Sequence, residues 1–258
     1  MNMIEKDREG MVLRIERSST FDGAGFRTVI FLKGCPLRCQ WCSTPESHSF
    51  EIEKTDTNVY GQVMTVEQVM KEARKDSLFF FMSGGGITLS GGEMMAQPDF
   101  SRAILQNCRQ EGYNTAIETS FFASWDVVKS ILPYVNNAFV DLKIFDSEQH
   151  KKYTGMDNEL ILNNLKATNE LENDFKLVIR TPIIPGINDT PEELHAIGKF
   201  AAGLTHLDHV QLLPYHKLGV STYEKLGLTY PLKDIDAPSA EQMAEYRSIV
   251  AEHVAKVI

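Results

Sequence analysis

The 258-residue chain is poor in cysteine, in basic charge and in long apolar runs, and each shortage closes off a class of protein. Four cysteines are too few for a disulfide-stapled scaffold of this length. Lysine and arginine number 26 against 35 aspartates and glutamates, a net charge of −9. Phosphate binding wants a basic face, so nucleic acid is excluded as the main partner. No apolar stretch approaches the roughly 20 residues of a membrane helix. The greasiest short run, Leu78-Phe79-Phe80-Phe81-Met82, is far too short, and Phe79–Phe81 within it is expected in the core, as is Trp125. The segment 1–8 carries charges where a signal peptide needs an apolar run, which makes the cytoplasm the default expectation. Low-complexity linkers and internal repeats are also missing. What remains, 43% hydrophobic and 24% charged, suits one globular domain over residues 1–258.

Strand-like and helix-like segments alternate along the chain. Buried strands are expected at 27–33, 87–90, 114–119, 138–143, 175–180 and 209–213. A capping box at Thr65-Val66-Glu67-Gln68 opens a helix to about residue 75. Further helices are expected at 99–111, with a stop at Gly112, and at 124–132 and 159–172. Two more open at the boxes Thr190-Pro191-Glu192-Glu193 and Ser239-Ala240-Glu241-Gln242, the last reaching the end of the chain. Six strands each followed by a helix imply a parallel sheet with helices outside, and ligands gather at the C-terminal ends of such strands.

Three of the four cysteines, Cys35, Cys39 and Cys42, lie on one loop directly after the first expected strand. A cubic iron-sulfur cluster takes four thiolates, so three on one loop suggest a cluster with one iron left open for a substrate. A structural zinc site completed by His48 or Cys108 is the alternative reading of the triplet. Ser90-Gly91-Gly92-Glu93 follows the second strand, where glycines let backbone approach a ligand closely; a plain turn is the bland reading. Glu118-Thr119 closes the third strand and Asp141-Leu142-Lys143 the fourth. Charges in such strands must be paired or ligand-bound, and an ion pair of Lys143 with Glu118 or Asp141 would satisfy that. Arg180 ends the fifth strand, and His216 follows the sixth.

With these motifs the chain resembles the radical S-adenosylmethionine (SAM) enzymes. The resemblance implies a partial (β/α)6 barrel in place of an open doubly wound sheet. It implies a 4Fe–4S cluster on Cys35, Cys39 and Cys42 in a loop over residues 34–47, with SAM on the open iron. By the same resemblance Gly91, Gly92 and Glu93 engage the methionine part of SAM, and Trp41 packs on adenine. Glu118, Thr119, Asp141, Lys143 and Arg180 become SAM contacts, Lys143 being also a catalytic candidate, and His216 lies near the ribose. Asp141, Glu118 and Thr119 are further expected around a monovalent cation.

A narrower resemblance rests on Asp22-Gly23-Ala24-Gly25-Phe26-Arg27, together with Arg180–Asn188 and the segment 212–219. It is to the glycyl radical enzyme activating enzymes, the pyruvate formate-lyase activating enzyme type, whose pattern here is Asp-Gly-Pro-Gly-Ile-Arg. Ala24 and Phe26 depart from it. The implied activity is installation of a glycyl radical on a partner enzyme, with a flavodoxin or ferredoxin as electron donor and Asp22 and Arg27 at the docking surface. The partner is a pyruvate formate-lyase or a lyase of the diol dehydratase and decarboxylase group. Activases of the second group usually insert a ferredoxin-like segment with extra cysteines, and 43–64 here holds none. Yet Ser43-Thr44-Pro45-Glu46-Ser47 and His150-Lys151-Lys152-Tyr153-Thr154-Gly155 look like that group. The rivals are a small-molecule radical SAM enzyme such as a deazapurine synthase, and a non-catalytic iron-sulfur or zinc protein.

Overall fold

The computed structural model describes residues 5–258; Met1–Ile4, the start of the segment read as too charged for a signal peptide, lie outside them. The described residues form two compact units, one of residues 5–36, 46–119 and 123–138, the other of 37–45, 120–122 and 139–258. In the first unit β1 (Glu9–Ser19) runs antiparallel to β2 (Arg27–Leu32). A short ribbon of β3 (Glu53–Lys54) and β4 (Val59–Tyr60) follows, and β5 (Gln62–Thr65) pairs on the far side of β1. Helices α1 (Val66–Ala73) and α2 (Ser77–Ser83) lead to β6 (Gly86–Gly91), α3 (Pro98–Gln110), β7 (Asn114–Thr119) and α4 (Trp125–Ile131). Strands β2, β6 and β7 are parallel, with Arg27 level with Gly86 and Gly86 level with Asn114.

β8 (Asn137–Asp141) carries the chain into the second unit. There α5 (Ser147–Thr154) and α6 (Glu159–Ala167) precede β9 (Lys176–Ile183), then α7 (Pro191–Ala202), β10 (Leu207–Pro214), α8 (Val220–Lys225) and α9 (Ala240–Ala251). β9 and β10 are parallel with Arg180 level with Gln211. All six expected strands are present within a few residues.

Several expectations are corrected. β1 was missed because its charged residues, Arg14, Glu16 and Arg17, mask the strand pattern. Arg14 instead lies 4.1 Å over the Phe31 ring and bonds Glu46, and Arg17 pairs with the buried Asp76. The Phe79–Phe81 run is core at Phe80 alone. On a helix of seven residues only Phe80 turns inward, edge-on to Tyr113, while Leu78, Phe79, Phe81 and Met82 are exposed. Trp125 is half-buried. The box at Thr190 is half formed: Thr190 accepts from Glu193 N–H, but the Glu193 carboxylate accepts from the backbone of Phe145 and Asp146 instead. The last helix stops at Ala251, and the chain beyond it pairs with β10: Ile258 N–H donates to Val210 O at 2.9 Å and Leu212 N–H to Ile258 O at 2.9 Å.

Arg27 anchors the start of the parallel strands. It is wholly buried, and burial pushes its guanidinium down to about 10. Its nitrogens donate to Thr88 Oγ1 (2.6 Å), Ile87 O (2.6 Å), Asn114 Oδ1 (3.1 Å) and Ala24 O (3.1 Å). It therefore ties the 20–26 loop to the first residues of β6 and β7, and cannot itself touch a partner. Arg27→Met leaves those acceptors unsatisfied and is expected to cost about 3 kcal/mol of stability in anaerobic urea unfolding. A loss below about 1 kcal/mol would contradict the anchoring role.

Candidate functional site

In the first unit the cysteine loop starts from a buried cation. Lys33, directly after β2, is wholly buried and donates to Glu46 O at 2.6 Å and to Glu53 Oε2 at 2.8 Å. Gly34 N–H donates to Ser47 O (2.7 Å) and Cys35 N–H to His48 O (3.2 Å), which sets the first thiol's backbone. Parallel register brings the end of β6 beside the same place, Gly91 opposite Leu32. Gly91 has φ +112°, and a Cβ there would lie 2.3 Å from Leu32 N and O, so only glycine fits. Glu93 N–H then donates to Gly34 O at 2.8 Å, and a Cβ on Gly92 would come within 2.5 Å of that oxygen. The Gly-Gly pair lets one loop lie directly on the other.

Glu93 is buried, and its Oε1 accepts from Thr119 Oγ1 (2.6 Å) and Met95 N–H (3.0 Å). Glu118 Oε2 accepts from Ser90 Oγ at 2.6 Å. Both contacts follow from the register of β6 with β7, which sets the ends of the two strands side by side.

The second unit holds the rest of the cysteine loop. Arg38 N–H donates to Thr154 O (2.6 Å) and Gln40 N–H to Tyr153 O (3.0 Å), so terminal carbonyls of α5 pin the residues between the cysteines. Cys39 and Trp41 are buried, Cys42 half-buried, and none of the three loop cysteines is in a disulfide. Burial pushes the Cys39 thiol up to about 12, against the pull of the nearby Lys143 ammonium. A thiolate at that position needs a cationic partner, which ligated iron supplies.

Lys143 Nζ donates to Asp141 Oδ2 at 2.7 Å, the ion pair left open by the sequence. The backbone after β8 is held by two buried amides: Asn188 Nδ2 donates to Lys143 O (2.8 Å), and Asn158 Nδ2 to Ile144 O (2.9 Å). Arg180 donates to Gln211 Oε1 (3.0 Å) and lies 4.2 Å from the centre of the Phe139 ring, a cation–π contact. His216 is exposed in the loop after β10, where its Nδ1 accepts from Leu218 N–H at 3.5 Å. Phe121, just past β7, adopts φ +60° while wholly buried, and its carbonyl accepts from Asn164 Nδ2 at 2.9 Å.

The residues expected around a monovalent cation are thus engaged: Glu118 with Ser90, Thr119 with Glu93, Asp141 with Lys143. Cys108 is no fourth ligand, since it is buried on α3 with Sγ 3.8 Å from Met70 Sδ of α1. Asp22 keeps its carboxylate on Ser19 Oγ in the 20–26 loop. That loop sits at the start of β2, whereas Cys35 follows its end, about 20 Å away along the strand. The docking expectation therefore lies apart from the strand ends that carry the other motifs. Sequence reasoning missed Ser90, Asn158 and Asn188 as holders of the site. The mark they left was polar residues beside or within apolar strand-end segments, which are read more readily as turns.

Three cysteines on one loop, none in a disulfide, are one short of a closed cubane and fit a cluster with an open iron. The Radical SAM superfamily model matches residues 29–200. The chain is 35% identical to the isethionate sulfite-lyase activating enzyme of Oleidesulfovibrio alaskensis, over 96% of this chain and 97% of that protein. It is 32% identical to the indoleacetate decarboxylase activating enzyme of Tractidigestivibacter scatoligenes, over 97% of each. The pyruvate formate-lyase-activating enzyme of Clostridium pasteurianum is 33% identical, over 94% and 98%. A crystal structure of a domain of the pyruvate-formate lyase-activating enzyme from Bacteroides vulgatus superposes with TM-score 0.57 at 30% identity, over 68% of this chain and 98% of that one. The fold is that of the radical SAM enzymes, a mostly parallel sheet with helices in the partial barrel class. Such a family implies a 4Fe–4S cluster and SAM, and Cys35, Cys39 and Cys42 fit its motif. The chain belongs to the radical SAM superfamily and, within it, to the activating enzymes of glycyl radical enzymes.

Proposed function

We propose that this chain activates a glycyl radical enzyme of the lyase and dehydratase group rather than a pyruvate formate-lyase. When bound, the cluster and SAM supply one-electron reductive cleavage, giving methionine and a 5′-deoxyadenosyl radical that takes a Cα hydrogen from a glycine of the partner. Cys35, Cys39 and Cys42 hold the cluster, and the backbone of Gly91–Glu93 presents donors and acceptors to the methionine part of SAM. The Glu93 carboxylate, oriented by Thr119 and Met95, would accept from the ammonium. Lys143, paired with Asp141, and Arg180 would bind and orient SAM, Trp41 would pack on its adenine, and the exposed His216 would lie near its ribose. These residues position the reacting atoms and exclude water. The electron donor is a flavodoxin or a ferredoxin.

The observation that carries the choice of partner group is the segment 150–155. It resembles that group in sequence, and it is the segment whose Tyr153 and Thr154 carbonyls hold the cysteine loop. The relatives support the same choice, with one difference. The alignment to the isethionate sulfite-lyase activating enzyme runs over 302 positions, and 96% of 258 residues is about 248, so about 54 positions of that alignment face no residue here. Against the Clostridium pasteurianum enzyme the alignment runs over 243 positions, as many as 94% of this chain supplies. The chain thus combines the compact length of one group with the local sequence of the other, and holds a single cluster. Partner docking falls to the 20–26 loop, where Phe21 is 89% exposed and Phe26 stacks on Phe79 of α2.

Anaerobic reconstitution with iron, sulfide, a reductant and SAM is expected to yield 5′-deoxyadenosine. With a sulfite-lyase or dehydratase partner it should also give the glycyl radical doublet in electron paramagnetic resonance. An intact cluster with no SAM cleavage would defeat the activity, and a radical formed only on pyruvate formate-lyase would defeat the partner choice. Cys39→Ala should lose the cluster and SAM cleavage while keeping its circular dichroism spectrum; normal iron content in that variant would contradict the ligand assignment. Asp22→Ala should cleave SAM as the parent does but activate the partner at least about tenfold more slowly, as loss of a contact worth about 1.4 kcal/mol implies. Equal loss of both activities would move Asp22 from docking to SAM binding.

A further inference from the structure

We propose that His195, His253 and Glu252 form a second metal site, for a divalent transition ion, that clamps the end of the chain to α7. The three residues come from two elements of the second unit: His195 from the first half of α7, Glu252 and His253 from the turn that ends α9. His195 Nδ1 lies 2.9 Å from His253 Nε2 and 3.9 Å from Glu252 Oε2, and the three ligand atoms all fall within 4.8 Å of one another. Nitrogens bound at about 2.1 Å in neighbouring octahedral positions lie about 3.0 Å apart, and in a tetrahedron about 3.4 Å. The imidazole pair is therefore already at coordination spacing. To bind an ion the rings turn so that both lone pairs face one point, the proton between them passes to the donor ring's other nitrogen, and the exposed Glu252 side chain swings inward by roughly 1 Å.

Two neutral imidazoles and a carboxylate suit zinc, nickel, cobalt or iron(II), and are a poor set for calcium or magnesium, which prefer oxygen. Without metal, one ring donates to the other across the same 2.9 Å, so the pair is held ready. The neighbouring sequence makes room for it. Gly198, one turn after His195 in the interior of α7, is the poorest helix former apart from proline. A Cβ there would sit 2.8 Å from His253 Cδ2 and 3.2 Å from His253 Cβ. An alanine would displace the ring, so the helix carries a glycine where His253 seats.

Position gives the site its role. Immediately after His253 the chain enters the 256–258 segment that lies along β10, with Lys256 O accepting from Val210 N–H at 3.1 Å and Val257 bridged to Val210. β10 leads in turn to Tyr215 and His216. A metal joining α7 to residues 252–253 pins this last segment at its entry. Its coordination to water fills the remaining positions, and it takes no part in electron transfer.

The test uses tag-free protein with its cluster assembled, so that Cys35, Cys39 and Cys42 are occupied, dialysed anaerobically against Co2+ or Zn2+. One Co2+ per chain beyond the cluster iron is expected, with visible d–d bands and a raised melting temperature. His195→Ala with His253→Ala should lose that equivalent, and Glu252→Gln should weaken it about tenfold, the lower range for losing a supporting ligand group. Cluster iron and SAM cleavage should stay unchanged in all of them. Failure of the parent to bind up to 1 mM metal, or equal binding by the double variant, would overturn the proposal. Should the double variant fold poorly, Glu252→Gln and Gly198→Leu decide: both must weaken Co2+ binding, and parent-like affinity in both rejects the site.

Discussion

The parallel register of β2 with β6, and of β6 with β7, is the constraint on which the first unit's half of the site depends. Level pairing of Arg27 with Gly86 forces Leu32 level with Gly91, so the cysteine loop and the Gly-Gly-Glu loop leave the sheet at the same height. One residue of slip would turn every side chain to the opposite face and separate the two loops. The same register sets Ser90 against Glu118 and brings Thr119 to Glu93. At the opposite end of these strands the buried Arg27 satisfies the Ile87 carbonyl and Thr88 hydroxyl of β6 and the Asn114 side chain of β7 at once, which holds the register where the strands begin.

Buried charge is the second theme, and in each case a specific partner offsets the desolvation. Lys33, Glu46 and Asp76 are all buried, and each is met by an opposite charge. Lys33 matters most for function, because the two oxygens it binds belong to the segment on which Gly34 and Cys35 rest. In the second unit neutral groups do the corresponding work. The α5 carbonyls and the amides of Asn158 and Asn188 hold backbone near the cysteines and Lys143, so the cationic side chain sits on a backbone fixed by amides.

Much of this was legible in the sequence, because chemistry and periodicity agree there. The expected strands are short and largely apolar, several end at Gly, Glu, Asp or Arg, and two thiol spacings on one loop admit few readings. What stayed hidden has physical causes. β1 is an edge-side strand whose arginines are neutralised by partners distant in sequence, Glu46 and Asp76, so its charge pattern resembles a loop. Phe79 and Phe81 are exposed beside the buried Phe80, since a one-dimensional pattern does not tell how many faces of a short helix find a neighbour. Arg27 matched a docking motif, but whether a guanidinium points to solvent or into a sheet depends on Thr88 and Asn114, some 60 and 90 residues away. His195 and His253 meet only after α7 and α9 pack, and their spacing in sequence carries no metal signature.

The central claim is that three thiolates leave one iron of a cubane open to SAM. Mössbauer spectroscopy of the 57Fe-reconstituted, oxygen-protected protein, with and without SAM, tests it most directly. A 4Fe–4S spectrum is expected in which one iron in four changes its isomer shift when SAM is added. Four irons that ignore SAM, or protein carrying zinc in place of a cluster, would contradict it.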